Sequence, residues 1–171
     1  MKRYVLTGGP GTGKSCILQA LEARGEHTIK EAAEDHIKLR QAQGQPEPWT
    51  EADFQDKILE LQVQREERVH PEAERVWIDR GVADGLGYAE PGTETYERIL
   101  EEAKKRHYDK IFLVESLDHT KKTKIRREDR EEAQKLGDKM KEVYLSLGYE
   151  LITIPDGPLE ERIGRVLEET E

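Results

Sequence analysis

The chain has 171 residues, room for one domain with a hydrophobic core and too few for two typical ones. Charged residues make up 38% of it and apolar ones 35%, and no apolar run approaches the ~18 residues of a spanning helix, which excludes a helical membrane protein. A net charge of −9 argues against a surface that attracts nucleic acid or anionic membrane as a whole, and the one cysteine, Cys16, cannot close an internal disulfide.

A reducing, cytoplasmic setting is therefore expected, and Lys2-Arg3 leads only into Tyr-Val-Leu before Thr-Gly-Gly, so no signal peptide is expected either. Strand-like and helix-like periodicities alternate from end to end, the pattern of an α/β fold with a parallel sheet. A short buried strand is expected over 4–7, then a glycine cluster and a helix from about 14 to 24 that Gly25 closes. A weak strand over 27–29 leads into a helix from 31 towards 43, broken by Gly44-Gln-Pro-Glu-Pro48. Thr50-Glu-Ala-Asp53 reads as a capping box for the next helix, with Phe54, Ile58 and Leu61 as its apolar stripe and Gln55, Gln62 and Arg65 elsewhere on the wheel. Further strands are expected over 76–79, 111–115 and 151–154. Between them lie a glycine-rich loop over 81–92, a helix from about 94 to 106, a basic stretch, and a long helix with Met140 and Tyr144 on its apolar face. A last helix follows Pro158. No linker, repeat or low-complexity segment interrupts the pattern, so residues 1–171 read as a single domain.

Gly8-Gly-Pro-Gly-Thr-Gly13-Lys14-Ser15 matches G-x-x-x-x-G-K-[ST] without a gap, between an expected strand and an expected helix. Gly8, Gly9, Gly11 and Gly13, with Pro10 and Thr12 between them, let the backbone wrap closely and aim its N–H groups at phosphate oxygens. The following helix N-terminus adds partial positive charge. Lys14 supplies a full charge to the β- and γ-phosphates of a bound triphosphate, and Ser15 offers a hydroxyl to Mg²⁺. Cys16, the next residue, completes the nucleotide-binding segment and is expected to be a buried structural thiol, since no histidine is placed to activate it.

In open α/β sheets, ligands gather at the carboxyl ends of strands. Asp79 ends the apolar run Val-Trp-Ile, where an acid can hold Mg²⁺; the plainer reading is a turn cap. Arg80, its neighbour, can bind the transferred or acceptor phosphate or serve as a surface ion-pair partner. Glu31 follows the second strand and can act as general base for an acceptor hydroxyl, or only satisfy a helix N-terminus. Asp84 and Glu115 are weaker candidates. The segment Lys121-Lys-Thr-Lys-Ile-Arg126-Arg127-Glu-Asp-Arg130 carries six positive and two negative charges. Its Arg126, Arg127 and Arg130 are candidate phosphate contacts of a lid at about 118–131, against the plainer reading of a solvated basic helix face.

Together these residues resemble the P-loop kinase-like ATPase family whose AAA-type domain is grouped with ribosylnicotinamide kinases. The resemblance rests on the phosphate loop, Glu31-Ala-Ala, Pro48-Trp49 with Phe54-Gln55, Asp79-Arg80-Gly81, Arg127-Glu128-Asp129 and the closing Ile154-Pro-Asp-Gly157. It implies a three-layer sandwich around a five-stranded parallel sheet, use of ATP and Mg²⁺, and phosphoryl transfer. One departure is that Glu34 stands where family members often carry an arginine three residues after the strand-two glutamate.

The expected function is that of a small ATP- and Mg²⁺-dependent phosphotransferase acting on a nucleoside- or nucleotide-like molecule. Lys14, Glu31, Asp79, Arg80 and Arg127 are its expected catalytic residues, and Ser15 and Asp79 its metal ligands. The acceptor is expected beneath a helical insertion at about 31–75, against Trp49, Phe54, Gln55, Arg80 and Asp84. No Asn/Thr-Lys-x-Asp guanine signature is present, which favours ATP over GTP. Two alternatives remain at this point: a nucleotide-dependent ATPase or GTPase switch that binds a partner, and a polynucleotide 5′-hydroxyl kinase, which the acidic net charge disfavours.

Overall fold

Strand pairing follows directly from the short apolar runs. In the computed structural model, which describes residues 1–116 and 124–171 (the backbone alone for 124–130), β1 (Lys2–Thr7), β2 (His27–Ile29), β3 (Arg75–Asp79), β4 (Lys110–Val114) and β5 (Leu151–Ile154) form one sheet in the order β2-β3-β1-β4-β5. Every pairing is parallel. The crossovers are α1 (Lys14–Ala23), α2 (Ala32–Ala42) with α3 (Phe54–Glu67), α4 (Glu94–Lys104) and α5 (Lys124–Ser146), and α6 (Leu159–Glu168) closes the chain. Two 3-10 turns, Pro48–Thr50 and Val82–Gly87, lie before α3 and after β3.

A strand buried on both faces sends alternate side chains to opposite layers. Val5, Val76, Ile78 and Ile111 meet Leu59 of α3, Ile99 and Ala103 of α4 and Tyr144 of α5. Tyr4, Leu6, Trp77, Phe112 and Val114 meet Ile17, Leu18 and Leu21 of α1 and Ile163 and Val166 of α6. On the second face the rings of Tyr4 and Trp77 lie 4.8 Å apart across neighbouring strands. The result is the three-layer α/β sandwich that the sequence implies. No helix among the described residues is long and apolar enough to cross a membrane.

Two local expectations are corrected. The capping box at 50–53 does not form: Thr50 Oγ1 donates to the Glu47 carbonyl at 2.7 Å inside a 3-10 turn that Pro48 initiates, and α3 begins at Phe54 with no side-chain cap. The buried face of α3 is Phe54, Leu59, Gln62 and Glu66, while Ile58 and Leu61 are half-buried. Gln62 Nε2 donates to Glu66 Oε1 at 2.9 Å, so a satisfied polar pair fills positions that hydrophobic periodicity cannot reveal. The expected lid at about 118–131 lies mostly outside the described residues. Residues 124–130 belong to the first turns of α5, and the side chains of Arg126, Arg127 and Arg130 are among those not described.

Candidate active site

The phosphate loop sits where β1 gives way to α1. Gly13 caps α1 with φ 87°, a left-handed conformation that favours glycine. At Gly9 the requirement is space: a Cβ there would lie 2.1 Å from the Ala133 carbonyl oxygen, because α5 crosses against the loop. Lys14 is buried, and its Nζ donates to the Gly9 carbonyl at 2.7 Å, the Gly8 carbonyl at 3.4 Å and Thr12 Oγ1 at 3.3 Å. Burial, with nearby Arg80, brings its pKa down to about 8 against the opposing pull of Asp79, Glu31 and Asp84.

Asp79 is the last residue of β3, in register with Leu6 of β1. Ser15 Oγ donates to Asp79 Oδ2 at 2.7 Å, and burial raises the Asp79 pKa against that bond. Asp79 Oδ1 is buried with no hydrogen-bond partner among the described residues. An orphaned carboxylate oxygen beside a hydroxyl is a hard donor set that suits Mg²⁺. No group of three or more His, Cys, Asp or Glu able to hold a metal occurs among the described residues.

Arg80 follows with φ 64°, rare for a residue with a side chain and held by its N–H bond to the Leu6 carbonyl at 3.0 Å. That backbone delivers the guanidinium to a cluster of acids. Nε lies 3.3 Å from Glu31 Oε1, NH1 lies 3.4 Å from Asp84 Oδ1, and the ring of Tyr88 is 5.6 Å below. Asp84 also accepts from Thr7 Oγ1 at 2.6 Å, from the Gly81 N–H at 3.0 Å and from Tyr144 OH at 2.6 Å. These donors satisfy a carboxylate that would otherwise be costly to bury. Glu31, at the entrance to α2, has its pKa raised by burial, with Arg80 opposing. Burial likewise pushes Tyr88 up to about 12.

Beyond Arg80 a cavity of about 370 Å³ opens under α2 and α3. The sequence-predicted acceptor residues Trp49, Phe54, Gln55, Arg80 and Asp84 all line it, and so does Glu31. Its floor adds Gln62 and Tyr88, which sequence reasoning missed. Thr7 and Tyr144, the two hydroxyls that hold Asp84, were also missed. Thr7 left the faint signal of a polar residue ending an apolar strand, and Tyr144 the signal of a hydroxyl within an apolar helix face. Cys16 is exposed, which corrects the expectation of a buried thiol: α1 turns Lys14, Ile17, Leu18 and Leu21 inward, and Cys16 falls on the opposite side.

No curated protein matches the sequence. Among solved structures, NadR in complex with NAD and AMP-PNP is similar with a TM-score of 0.72 at 16% identity, over 99% of this chain and 49% of that one. NadR in complex with NR gives 0.70 at 14% identity, over 98% and 49%. Deoxyadenosine kinase from M. mycoides, with dCMP and dCDP bound, gives 0.66 at 15% identity over 98% of both chains. The chain thus spans about half the length of NadR and nearly all of the deoxyadenosine kinase. These likenesses establish a P-loop kinase-type fold. A family model described as an AAA domain matches residues 3–162, a span holding the phosphate loop and every acidic and basic residue of the cluster around Arg80, and the chain belongs to that AAA-domain family.

Proposed function

We propose that the chain is an ATP- and Mg²⁺-dependent phosphotransferase whose acceptor is a hydroxyl of a nucleoside-like small molecule seated in the cavity. The observation that carries this reading is the Glu31–Arg80 pair, which lines the cavity while acting electrostatically on Lys14 of the phosphate loop. A site for hydrolysis alone needs no second cavity of about 370 Å³ beside the triphosphate. NadR in complex with NR and deoxyadenosine kinase, similar in fold, support acceptors of the nucleoside kind.

In this reading the N–H groups of residues 8–15, Pro10 excepted, and the ammonium of Lys14 hold the triphosphate, so Lys14 leaves the loop carbonyls for phosphate oxygens. Ser15 and Asp79 would hold Mg²⁺, which neutralises charge on the phosphate oxygens when bound. Trp49, Phe54 and Gln55 give the acceptor an aromatic face and an amide. Glu31 takes the proton of the acceptor hydroxyl as its oxygen bonds to the γ-phosphorus. The bond from that phosphorus to the β–γ bridging oxygen breaks, and ADP leaves. Arg80 orients Glu31 and balances charge on the moving phosphoryl group. The cavity's charged side chains are Glu31, Asp84 and Arg80, and Arg80 already faces both acids. That balance favours a neutral hydroxyl over a phosphate as the acceptor. Residues of about 31–75 are proposed as the acceptor-side insertion and about 118–131 as a lid, with Arg126, Arg127 and Arg130 as phosphate contacts. A cytoplasmic setting is part of the same proposal.

The test is transfer of labelled γ-phosphate from ATP to nucleosides, pyridine ribosides, nucleotides and 5′-hydroxyl oligonucleotides in parallel. Label should move to a nucleoside-type hydroxyl, and ATP hydrolysis without acceptor should be slow. Release of inorganic phosphate with no labelled acceptor, accelerated by a protein partner, would replace this reading with a nucleotide-dependent switch.

A further inference from the structure

One buried cation belongs to none of the groups described above. Arg162 lies on α6, the helix that otherwise buries Ile163 and Val166 against the sheet, and it is only 3% exposed. Helix packing does not call for a guanidinium there, and burying one costs free energy that its bonds must offset. NH1 donates to the Thr12 carbonyl at 2.8 Å and NH2 donates to the Glu115 carbonyl at 3.0 Å. Nε is buried with no hydrogen-bond partner among the described residues. The planar fork thus ties the phosphate loop to the residue that follows β4.

A trans peptide points its carbonyl and the next N–H in opposite directions. With the Thr12 carbonyl drawn onto Arg162, the Gly13 N–H turns away from α6. Gly13 accepts this orientation in its left-handed conformation. Thr12 is fixed from its other end as well, since its Oγ1 donates to the Gly9 carbonyl at 3.1 Å and accepts from Lys14. When Lys14 moves to phosphate, its bond to Thr12 Oγ1 is lost and the Arg162 bond remains.

We propose that Arg162 is a positioning residue of the phosphate loop: from beneath, its two-carbonyl fork fixes the Thr12–Gly13 peptide so that the Gly13 N–H faces bound polyphosphate, whatever base the nucleotide carries. This rests on the phosphate-loop reading, though not on the identity of the acceptor. It predicts an effect on phosphate affinity that is independent of the nucleobase and separate from acceptor binding.

The experiment is calorimetric titration of ATP and of inorganic triphosphate, each with Mg²⁺, onto the wild-type chain, Arg162→Met and Arg162→Lys. Circular dichroism melts of each variant accompany the titrations. Arg162→Met should weaken both ligands by the same factor, about tenfold or more, while the acceptor KM in the transfer assay stays unchanged. Lysine keeps the charge and loses the fork, so Arg162→Lys should stay within about threefold of the methionine variant. Wild-type affinity in a folded Arg162→Met overturns the proposal. So does a loss confined to ATP, which would make the residue a reader of base or ribose, and so does full rescue by lysine, which would reduce its role to charge. If Arg162→Met does not fold, Arg162→Lys alone decides: near wild-type affinity for triphosphate overturns the proposal, and a tenfold loss in a folded chain supports it. A wild-type chain that binds neither ligand removes the phosphate-loop reading along with this proposal. One that binds triphosphate but transfers no phosphoryl group removes only the kinase reading.

Discussion

The two halves of the site are built on different principles. The proposed donor half is eight consecutive residues whose backbone would do the binding, with one lysine to supply charge and one hydroxyl to meet the metal. The proposed acceptor half is assembled from β1, β3, the two 3-10 turns, α2, α3, α4 and α5, and almost all of its polar groups belong to side chains. A backbone cradle depends on few side chains, and depends on those few heavily. A side-chain cavity spreads its function over many residues, each with a graded effect.

The sharpest way to break this contrast is Lys14→Ala. It should lower turnover by at least about 10³-fold with the cooperative melt retained, because no other described cation donates to the Gly8 and Gly9 carbonyls where Lys14 sits. Near wild-type turnover in the folded variant would dissolve the donor half as described. Glu31→Gln should come next, with kcat down by about 10²-fold and ATP affinity little changed. Since burial raises the Glu31 pKa and a base must be ionised, the acid limb of the kcat–pH profile should lie above the ordinary glutamate range. The glutamine variant should flatten that limb, and an unaltered profile would leave Glu31 as a structural residue.

Asp79→Ala should raise the Mg²⁺ concentration for half-maximal activity by about 10- to 100-fold, more than it raises the KM for ATP. An unmoved Mg²⁺ midpoint would reduce Asp79 to a partner for Ser15. A fourth effect follows from the ligand-free Lys14 pKa of about 8. Below pH 8 the ammonium is charged in advance; above it, ATP must recruit a proton on binding. Affinity should then fall with rising pH, by at most about tenfold per unit, with proton uptake visible in calorimetry in buffers of different ionisation enthalpy. No uptake at pH 9 would show that Lys14 is already charged there. The smallest effect belongs to Tyr144→Phe, which takes one of several donors from Asp84. It should cost about 1 kcal/mol in denaturant melts and lower kcat a few-fold, leaving the KM for ATP alone. A loss as large as that of Glu31→Gln would mean that Asp84 depends on this donor far more than its several bonds suggest.

The same contrast explains what could be read from the chain alone. The strands and the phosphate loop were legible because alternation and a contiguous motif are local properties. Asp79, Arg80 and Glu31 were legible from their places at strand ends. Asp84 was underrated because its importance comes from Thr7, 77 residues earlier, and Tyr144, 60 residues later. Gln62 was set aside as polar, although Glu66 makes it a satisfied core residue, and Glu66 in turn accepts from Tyr108 OH at 3.1 Å. The capping box failed because Pro48 started a turn of its own. Cys16 was misplaced because the rotation of α1 against the sheet is fixed by its buried residues Lys14, Ile17, Leu18 and Leu21, and a free thiol carries no signal of its facing.

The wall of the acceptor cavity has a thermodynamic consequence. α2 fully buries only Ala32, while Leu39 is 56% exposed and Trp49, on the turn beyond, 52%. Part-exposed ion pairs such as Arg65–Asp35 at 2.6 Å and Arg40–Glu51 at 2.5 Å help hold this wall, and contacts of that kind contribute little. The helix is therefore expected to open at a lower cost than global unfolding, and the cavity beneath it is space that the chain itself does not fill. Whatever molecule fills it completes a folding unit, and part of its intrinsic affinity goes into ordering that unit. Amide exchange over 32–42 is thus a finer detector of weak acceptors than the global melting temperature, which is set by the sheet and barely registers this helix.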